Sequence, residues 1–319
     1  MEARILIGDA RKRLAELPAG SVRTCITSPP YFGLRDYGES DQMGLEETPE
    51  AYVEEMVLLF REVWRVLSDD GTLWLNLGDS YNGSGGNHKP EHKNDTGFQG
   101  KIGADKYKGK GNMVNGLKPK DLIGIPWRVA LALQADGWYL RQDIIWAKPN
   151  PMPESVTDRC TKSHEYVFLL SKSARYYYDH EAVKEPSIHS SDRRAGEGRL
   201  TYKGKRQGNQ GTGQEAFVSI TETRNKRDVW TIASKPFKGA HFAVMPEALV
   251  EPCVLAGSAE GDTVLDPFTG SGTVAVVALQ HGRNFVGTEL NPEYGQIAKD
   301  RITKASPMFN EVVIDDEMV

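Results

Sequence analysis

Two short segments, far apart in the chain, carry residue types that could do chemistry. One is Asp266-Pro267-Phe268-Thr269-Gly270-Ser271-Gly272-Thr273, between the apolar run TVLD and the helical pattern VAVVALQ. Glycines at a strand-to-helix turn let the chain bend tightly and let a ligand approach the backbone, while the helix start offers free N–H groups. Glu289 ends the next apolar run, NFVGTEL, where a carboxylate can accept hydrogen bonds from two ribose hydroxyls. The turn lacks GxxxxGK(S/T), so it is not a phosphate loop, and it departs from GxGxxG. A purely structural turn is the other reading of these glycines.

The other segment is Thr27-Ser28-Pro29-Pro30-Tyr31, at the end of the short apolar run VRTCIT. Two prolines fix φ and remove two N–H donors, so their carbonyls project rigidly as acceptors beside the Ser28 hydroxyl. The exocyclic amine of a base is a poor nucleophile because its lone pair is delocalised into the ring. A hydroxyl and a fixed carbonyl that accept its two hydrogens favour the pyramidal, nucleophilic form. The flat face of Tyr31 could hold a base that has been flipped out of its stack. On its residues alone the segment also fits a Pro-Pro turn closing a strand.

These residues need elements to position them. RILI (4–7), VRTCIT (22–27), TLWLN (72–76), YLRQDIIWAK (139–148), EYVFLLS (165–171), TVLD (263–266) and NFVGTEL (284–290) read as strands. Helical spacing marks RKRLAEL, a long amphipathic stretch opened by Thr48-Pro49-Glu50 and ended by Asp69-Asp70-Gly71, 122–135, 246–257, the run to Gln280, and a last helix from Pro292. Alternating strands and helices predict an α/β fold with a mostly parallel sheet covered on both faces. Polar, Gly-rich stretches interrupt this rhythm at 82–118, read as a mobile basic loop, and at 184–230, read as an insertion. The tail EVVIDDEMV (within 306–319) reads as acidic and frayed.

The net charge of −5 argues against a polyanionic partner until its distribution is considered. Residues 82–120 hold 8 Lys/Arg against 3 Asp/Glu, and 184–240 hold 12 against 6, so positive charge is concentrated in two segments of an acidic chain. That pattern suits a phosphate backbone as well as solvated loops. Cys25, Cys160 and Cys253 lack any CxxC pairing, which speaks against a disulfide framework or a zinc site, and all three read as small buried hydrophobes. No signal-like or membrane-spanning run is present, so a cytoplasmic protein is expected.

Taken together, TSPPY and DPFTGSGT resemble motifs IV and I of the S-adenosylmethionine-dependent amino-methyltransferases acting on DNA. Their order, tetrapeptide first, resembles the permuted beta group of that family. The likeness spans roughly 3–180 and 230–304. It implies a circularly permuted Rossmann-like sheet of seven strands, mostly parallel, with one antiparallel strand, helices on both faces and basic loop insertions. It implies S-adenosyl-L-methionine as cofactor, held by Asp266, Pro267, Phe268, Gly270, Ser271, Gly272 and Thr273 around the methionine end and Glu289 on the ribose. Softer matches add Asp9 near the adenine ring, Asn76 and Asp79 beside the cofactor, and His241 and Phe242 closing over it.

The same resemblance makes Ser28, Pro29, Pro30 and Tyr31 the catalytic segment, with no metal. A serine opening the tetrapeptide favours N4 of cytosine; N6 of adenine is the alternative, as is a DNA-recognition subunit without catalysis. C5 methylation needs a cysteine nucleophile, and Cys253 lies inside the apolar run PEALVEPCVLAG rather than at a strand end. Double-stranded DNA is the expected partner, read by Arg193, Arg194, Arg199, Lys203, Lys205 and Arg206 in a target-recognition insertion. Pairing into a homodimer and a cognate restriction endonuclease also fit the resemblance.

Overall fold

The structure, a computed structural model, describes residues 1–34, 39, 42–83, 116–187, 222–234, 245–305 and 311–315. Residues 84–115 of the loop read at 82–118, the six basic residues between 193 and 206, and His241 and Phe242 lie outside the described residues.

In chain order the strands are β1 (Glu2–Ile7), β2 (Val22–Thr27), β3 (Leu67–Leu77), β4 (Tyr139–Ala147), β5 (His164–Ser171), β6 (Glu185–Pro186), β7 (Thr223–Arg224), β8 (Val229–Thr231), β9 (Thr263–Asp266), β10 (Asn284–Glu289) and β11 (Glu311–Asp315). The helices are α1 (Ala10–Ala15), α2 (Pro49–Val66), α3 (Ile125–Ala135), α4 (Glu247–Gly257), α5 (Thr273–Gln280) and α6 (Pro292–Ala305). Met1–Tyr178 with Asp228–Val319 form one compact unit, and Asp179–Arg227 form a second. In the second unit β6 and β7 pair antiparallel, with Glu185 accepting from Arg224 (2.8 Å) and Arg227 (2.6 Å).

The main sheet runs β11-β1-β10-β9-β2-β3-β5-β4-β8. The seven inner strands are the sheet expected from the sequence, with β5 antiparallel to both β3 and β4 and the remaining pairs parallel. Two edge strands correct the count to nine. Residues 311–315, expected to fray, instead extend the sheet beside β1, where Arg4 Nε binds Asp315 at 2.9 Å. Val229–Thr231 pairs with β4 and seats the buried Trp230 near Trp74. β8, three residues long, is too short for its alternation to stand out in the sequence.

Residue alternation along β2 and β3 assigns the two faces. Cys25, Leu73 and Leu75 belong to the core under α1, α2 and α3. Helix α2 presents Tyr52, Met56, Leu59, Phe60, Val63 and Val66 to it, all fully buried, and starts where Thr48 Oγ1 accepts from Ala51 N. Thr24, Thr72 and Trp74 face the other way, towards Gly257 at the end of α4. Asp69-Asp70-Gly71, expected to end the helix, lies inside β3 at a register shift, where Arg23 on β2 pairs with Asp70. Cys25 and Cys253 are buried, whereas Cys160 is exposed, contrary to expectation: it sits in the loop before β5 rather than in an element.

Gly257 is where α4 comes closest to the sheet: a Cβ would stand 2.7 Å from Thr24 Oγ1 and 2.9 Å from Trp74 Nε1. Gly257→Ala is therefore expected to destabilise the fold by about 1–3 kcal/mol, the scale of overpacking a dense core. Calorimetry of the variant would read this as a lower Tm.

Candidate active site

The functional segments meet because β2 and β9 are parallel neighbours at the middle of the sheet, with Thr24 opposite Val264 and Cys25 opposite Leu265. Parallel pairing brings the C-terminal ends of both strands to one edge, the edge at which open α/β sheets bind ligands. Thr27 Oγ1 donates to Asp266 Oδ1 at 2.7 Å, joining the residue before the tetrapeptide to the first residue of the glycine turn. Asp266 Oδ1 also accepts from Phe268 N at 3.0 Å.

The turn needs its glycines for space and for backbone conformation. Gly272 sits at φ 77° as the N-cap of α5, and a Cβ there would lie 3.1 Å from Ala298 Cβ on α6. Arg301 supports the turn from behind, donating to Ser271 Oγ (3.1 Å) and Thr273 Oγ1 (2.8 Å) while paired with Glu247 (2.7 Å). Opposite, Glu289 ends β10 and accepts from Gly270 N (2.8 Å) and Asn291 N (3.1 Å). A carboxylate has about four acceptor positions, so its backbone donors leave capacity for a hydroxyl.

One cleft at this edge is walled by Asp9, Ser28, Pro30, Asp266, Pro267, Phe268, Gly270, Ser271, Thr273 and Glu289. These are residues that the sequence singled out, now brought together from β1, β2, β9 and β10. Gly8, before Asp9, donates from its backbone to the Glu289 carbonyl at 2.9 Å, which sets the cleft's far wall. Further wall residues that sequence reasoning missed are Glu39, Met43, Met245, Asn291 and Tyr294. Asn291 was the legible one among these, since an Asn-Pro-Glu run marks a helix start, and its Oδ1 accepts from Glu293 N at 2.8 Å.

Asn76 and Asp79 are not among the residues that wall the cleft. The Asn76 amide donates to the Tyr166 carbonyl (3.0 Å), and its oxygen lies 3.2 Å from the Tyr31 hydroxyl. Asp79 accepts from Gly124 N (3.0 Å) and Ile125 N (3.2 Å), tying the end of β3 to the start of α3. Their polar atoms are taken up in holding the scaffold, which their position after a strand did not disclose. Pro29 and Tyr31 flank the cleft without forming its wall. Trp146 is core: it is buried and donates to the Ile232 carbonyl at 2.8 Å.

Tyr52 on α2, also missed, donates its hydroxyl to the Pro30 carbonyl at 2.8 Å. Burial pushes its phenol well up, with Glu46 adding, so it stays a donor. Of the two proline carbonyls, Pro30's is thus engaged by the core.

Electrostatically the cleft is acidic, with Asp266 buried in its wall. Burial pushes the Asp266 carboxyl up to about 7, with the charge of Glu289 adding, against hydrogen bonds from Thr27 and Phe268. Burial likewise raises Glu289, and Glu39 adds to it, against three backbone donors. For Asp9, burial acts upward, but the hydrogen bonds and charge of Arg11 outweigh it and hold the carboxyl below its usual range. A cationic, hydroxyl-bearing ligand suits this wall: positive charge relieves the crowded carboxylates, a hydroxyl fills the remaining Glu289 capacity, and Pro267, Phe268 and Met43 offer apolar contact. S-adenosyl-L-methionine has these properties. Among the described residues, no cluster of three His, Cys, Asp or Glu side chains could hold a metal, and no helix is long and apolar enough to cross a membrane.

The proton on Asp266 gives a pH signature. A carboxyl raised to about 7 keeps in the folded chain a proton that the unfolded chain releases near pH 4, so it costs the free protein stability as pH rises from about 4 to about 7. Asp266→Asn cannot titrate. Its Tm in the absence of cofactor should fall less than the wild type's over that range, as calorimetry at several pH values would show, and it should bind S-adenosyl-L-methionine more weakly.

The chain is similar to known proteins. A family model for DNA methylases of the N6/N4 type matches residues 22–300. The type II methyltransferase M.Cfr9I of Citrobacter freundii is 49% identical over 301 residues, covering 94% of this chain and 87% of that protein. Among solved structures, a putative DNA modification methylase from Thermus thermophilus, in complex with S-adenosyl-L-methionine, superposes with a TM-score of 0.61 at 24% identity, over 99% of both chains. PvuII DNA methyltransferase, cytosine-N4-specific, superposes at 0.62 with 19% identity, over 99% of this chain and 95% of that one. At those identities the two structures speak for the fold. The family match over most of the chain and the identity to M.Cfr9I go further: the protein belongs to the S-adenosyl-L-methionine-dependent DNA methylases of the N4-cytosine/N6-adenine amino-methyltransferase family.

Proposed function

We propose that this DNA methyltransferase modifies N4 of a cytosine flipped out of double-stranded DNA, with Ser28 and the Pro29 carbonyl accepting the two amine hydrogens. The observation that carries the reading is the shared wall: Ser28 and Pro30 line the same cleft as Asp266, Phe268 and Glu289. An amine held at Ser28 therefore stands beside the place where the cofactor fits. Bound S-adenosyl-L-methionine supplies a methyl group already activated by its sulfonium. The chain's part is positioning and charge. Tyr52 engages the Pro30 carbonyl, which leaves the amine to Ser28 and Pro29. Tyr31, its hydroxyl anchored in the protein, offers its ring to the base.

The serine at position 28 favours cytosine, and PvuII methyltransferase, named as cytosine-N4-specific, has the same fold. N6 of adenine is the second reading, since it presents the same two hydrogens. Sequence recognition falls to the basic stretch 184–230 with Arg193, Arg194, Arg199, Lys203, Lys205 and Arg206, and the basic loop 82–118 closes on DNA. His241 and Phe242 cover the methionine end of the cofactor. M.Cfr9I is a type II methyltransferase. By analogy this protein works in the cytoplasm beside a cognate restriction endonuclease, as a homodimer on its site.

Mass spectrometry of nucleosides, after incubating DNA with the protein and deuteromethyl-labelled cofactor, should find the label in N4-methylcytosine. Label in N6-methyladenine would overturn the base assignment. Ser28→Ala should lower kcat about tenfold or more, the scale of one lost hydrogen bond to the reacting group, while leaving cofactor affinity intact. Equal losses in both would make Ser28 structural.

A further inference from the structure

Behind the tetrapeptide lies a chain of polar groups that neither the cofactor cleft nor the amine contacts account for. Ser28 Oγ lies 3.4 Å from the Tyr31 hydroxyl. That hydroxyl lies 2.8 Å from Glu165 Oε2, on the antiparallel strand β5, and 3.2 Å from Asn76 Oδ1 on β3. The Asn76 amide reaches the same Glu165 oxygen at 3.3 Å. The other Glu165 oxygen is paired with Lys148, just past the end of β4, whose ammonium also lies 4.1 Å from the centre of the Trp146 ring. The Glu165 side chain is only 15% exposed and that of Lys148 19%, so the pair is largely removed from water. Gly78 makes room for the arrangement, since a Cβ there would stand 2.6 Å from Tyr31 Cε2.

Hydroxyl protons are placed by the partners around them. Glu165, a carboxylate paired with an ammonium, can only accept. Tyr31 is the donor that meets it: burial and the charge of Glu165 push its phenol well above the usual range, so it keeps its single proton. With that proton given to Glu165, the Tyr31 oxygen faces Ser28 as an acceptor. Ser28 then gives its own single proton to Tyr31, and its lone pairs are left facing the cleft.

We propose that Glu165, held by Lys148, is a positioning residue that fixes the direction of the hydrogen bonds from Ser28 through Tyr31, so that Ser28 faces the target base only as an acceptor. This rests on Ser28 receiving the amine, as argued above. Its consequence is selectivity for an amino group over a carbonyl. A base amine brings hydrogens to the Ser28 lone pairs. The deaminated base brings a carbonyl oxygen, so two acceptors meet and neither is satisfied, a penalty that rejects the wrong group more strongly than a missing contact would. Cytosine and adenine both pass this filter, and their oxo counterparts do not. An amide at 165 would remove this bias, because its NH2 can donate to the Tyr31 oxygen and leave the Tyr31 proton to Asn76 Oδ1 or to Ser28, whose own proton is then free to turn to the cleft.

The test uses the full chain and a duplex carrying the methylated site, mapped beforehand from the labelled products. A second duplex carries the deaminated base there, uracil for cytosine or hypoxanthine for adenine. Affinity for each duplex is measured for the wild type, Glu165→Gln, Tyr31→Phe and the double variant, with cofactor affinity as the check on folding. The altered pairing of the second duplex is common to all four proteins and cancels when their ratios are compared. The expected result is a preference for the amino duplex that shrinks about tenfold in Glu165→Gln, a matching drop in kcat, and unchanged cofactor affinity. Tyr31→Phe should remove the effect of the second substitution, since the two act along one chain. An unchanged preference in Glu165→Gln, or additive losses in the double variant, overturns the proposal. Ser28→Ala with full kcat would overturn both it and the reading of Ser28, whereas a slow Ser28→Ala beside an unaltered Glu165→Gln would sink the positioning role alone.

Discussion

Everything in the catalytic half of this molecule depends on β2 and β9 lying side by side. They are separated by most of the chain, and their pairing closes through a buried hydrogen bond from Thr27 to Asp266. Without it the tetrapeptide segment and the glycine turn would be two independent loops. With it, both segments line a single wall, and the positions of Ser28 and Phe268 are fixed against each other by a strand ladder rather than by flexible connections. Sites built on strand ends hold their geometry more tightly than sites built on loops.

The interaction has a cost. Asp266 is buried at the point where Glu289 and Glu39 also converge, and the carboxylates crowd each other there. Protein donors offset part of this, namely Thr27, the Phe268 amide, the Gly270 amide and the Asn291 amide. The remainder is a cleft that is electrostatically incomplete until a cation enters. A methyl donor carrying a sulfonium answers that need better than the neutral thioether left after transfer, so the same carboxylates that draw the substrate in favour release of the product.

How much of this was legible in the sequence depended on whether a residue's meaning is local. Asp266 to Thr273, Glu289 and the tetrapeptide were legible, because tight turns and strand-end acids are written in neighbouring residues. The seven inner strands were legible for the same reason, each long and apolar enough to declare itself. The two edge strands were not: Val229–Thr231 and Glu311–Asp315 become strands only because β4 and β1 offer them an unpaired side. Asn76 and Asp79 were expected beside the cofactor from the family resemblance, whereas partners distant in sequence, Tyr166 and the start of α3, engage their side chains. Tyr52, Arg301 and Glu165 act on the site across 22 to 134 residues of intervening chain. Nothing in their surroundings along the sequence marks them out.

Strand β11 has one more implication. By lying along β1 and clasping Arg4 through Asp315, it covers a row of backbone groups on an inner strand that is apolar at Ala3, Ile5, Leu6 and Ile7. Its own outer side belongs to a short strand bearing Glu311 and Asp315, and short, charged edges resist adding another strand. This last strand therefore acts as a stopper against edge-to-edge polymerisation: a short acidic ribbon keeps a twisted sheet from templating its own growth into an aggregate.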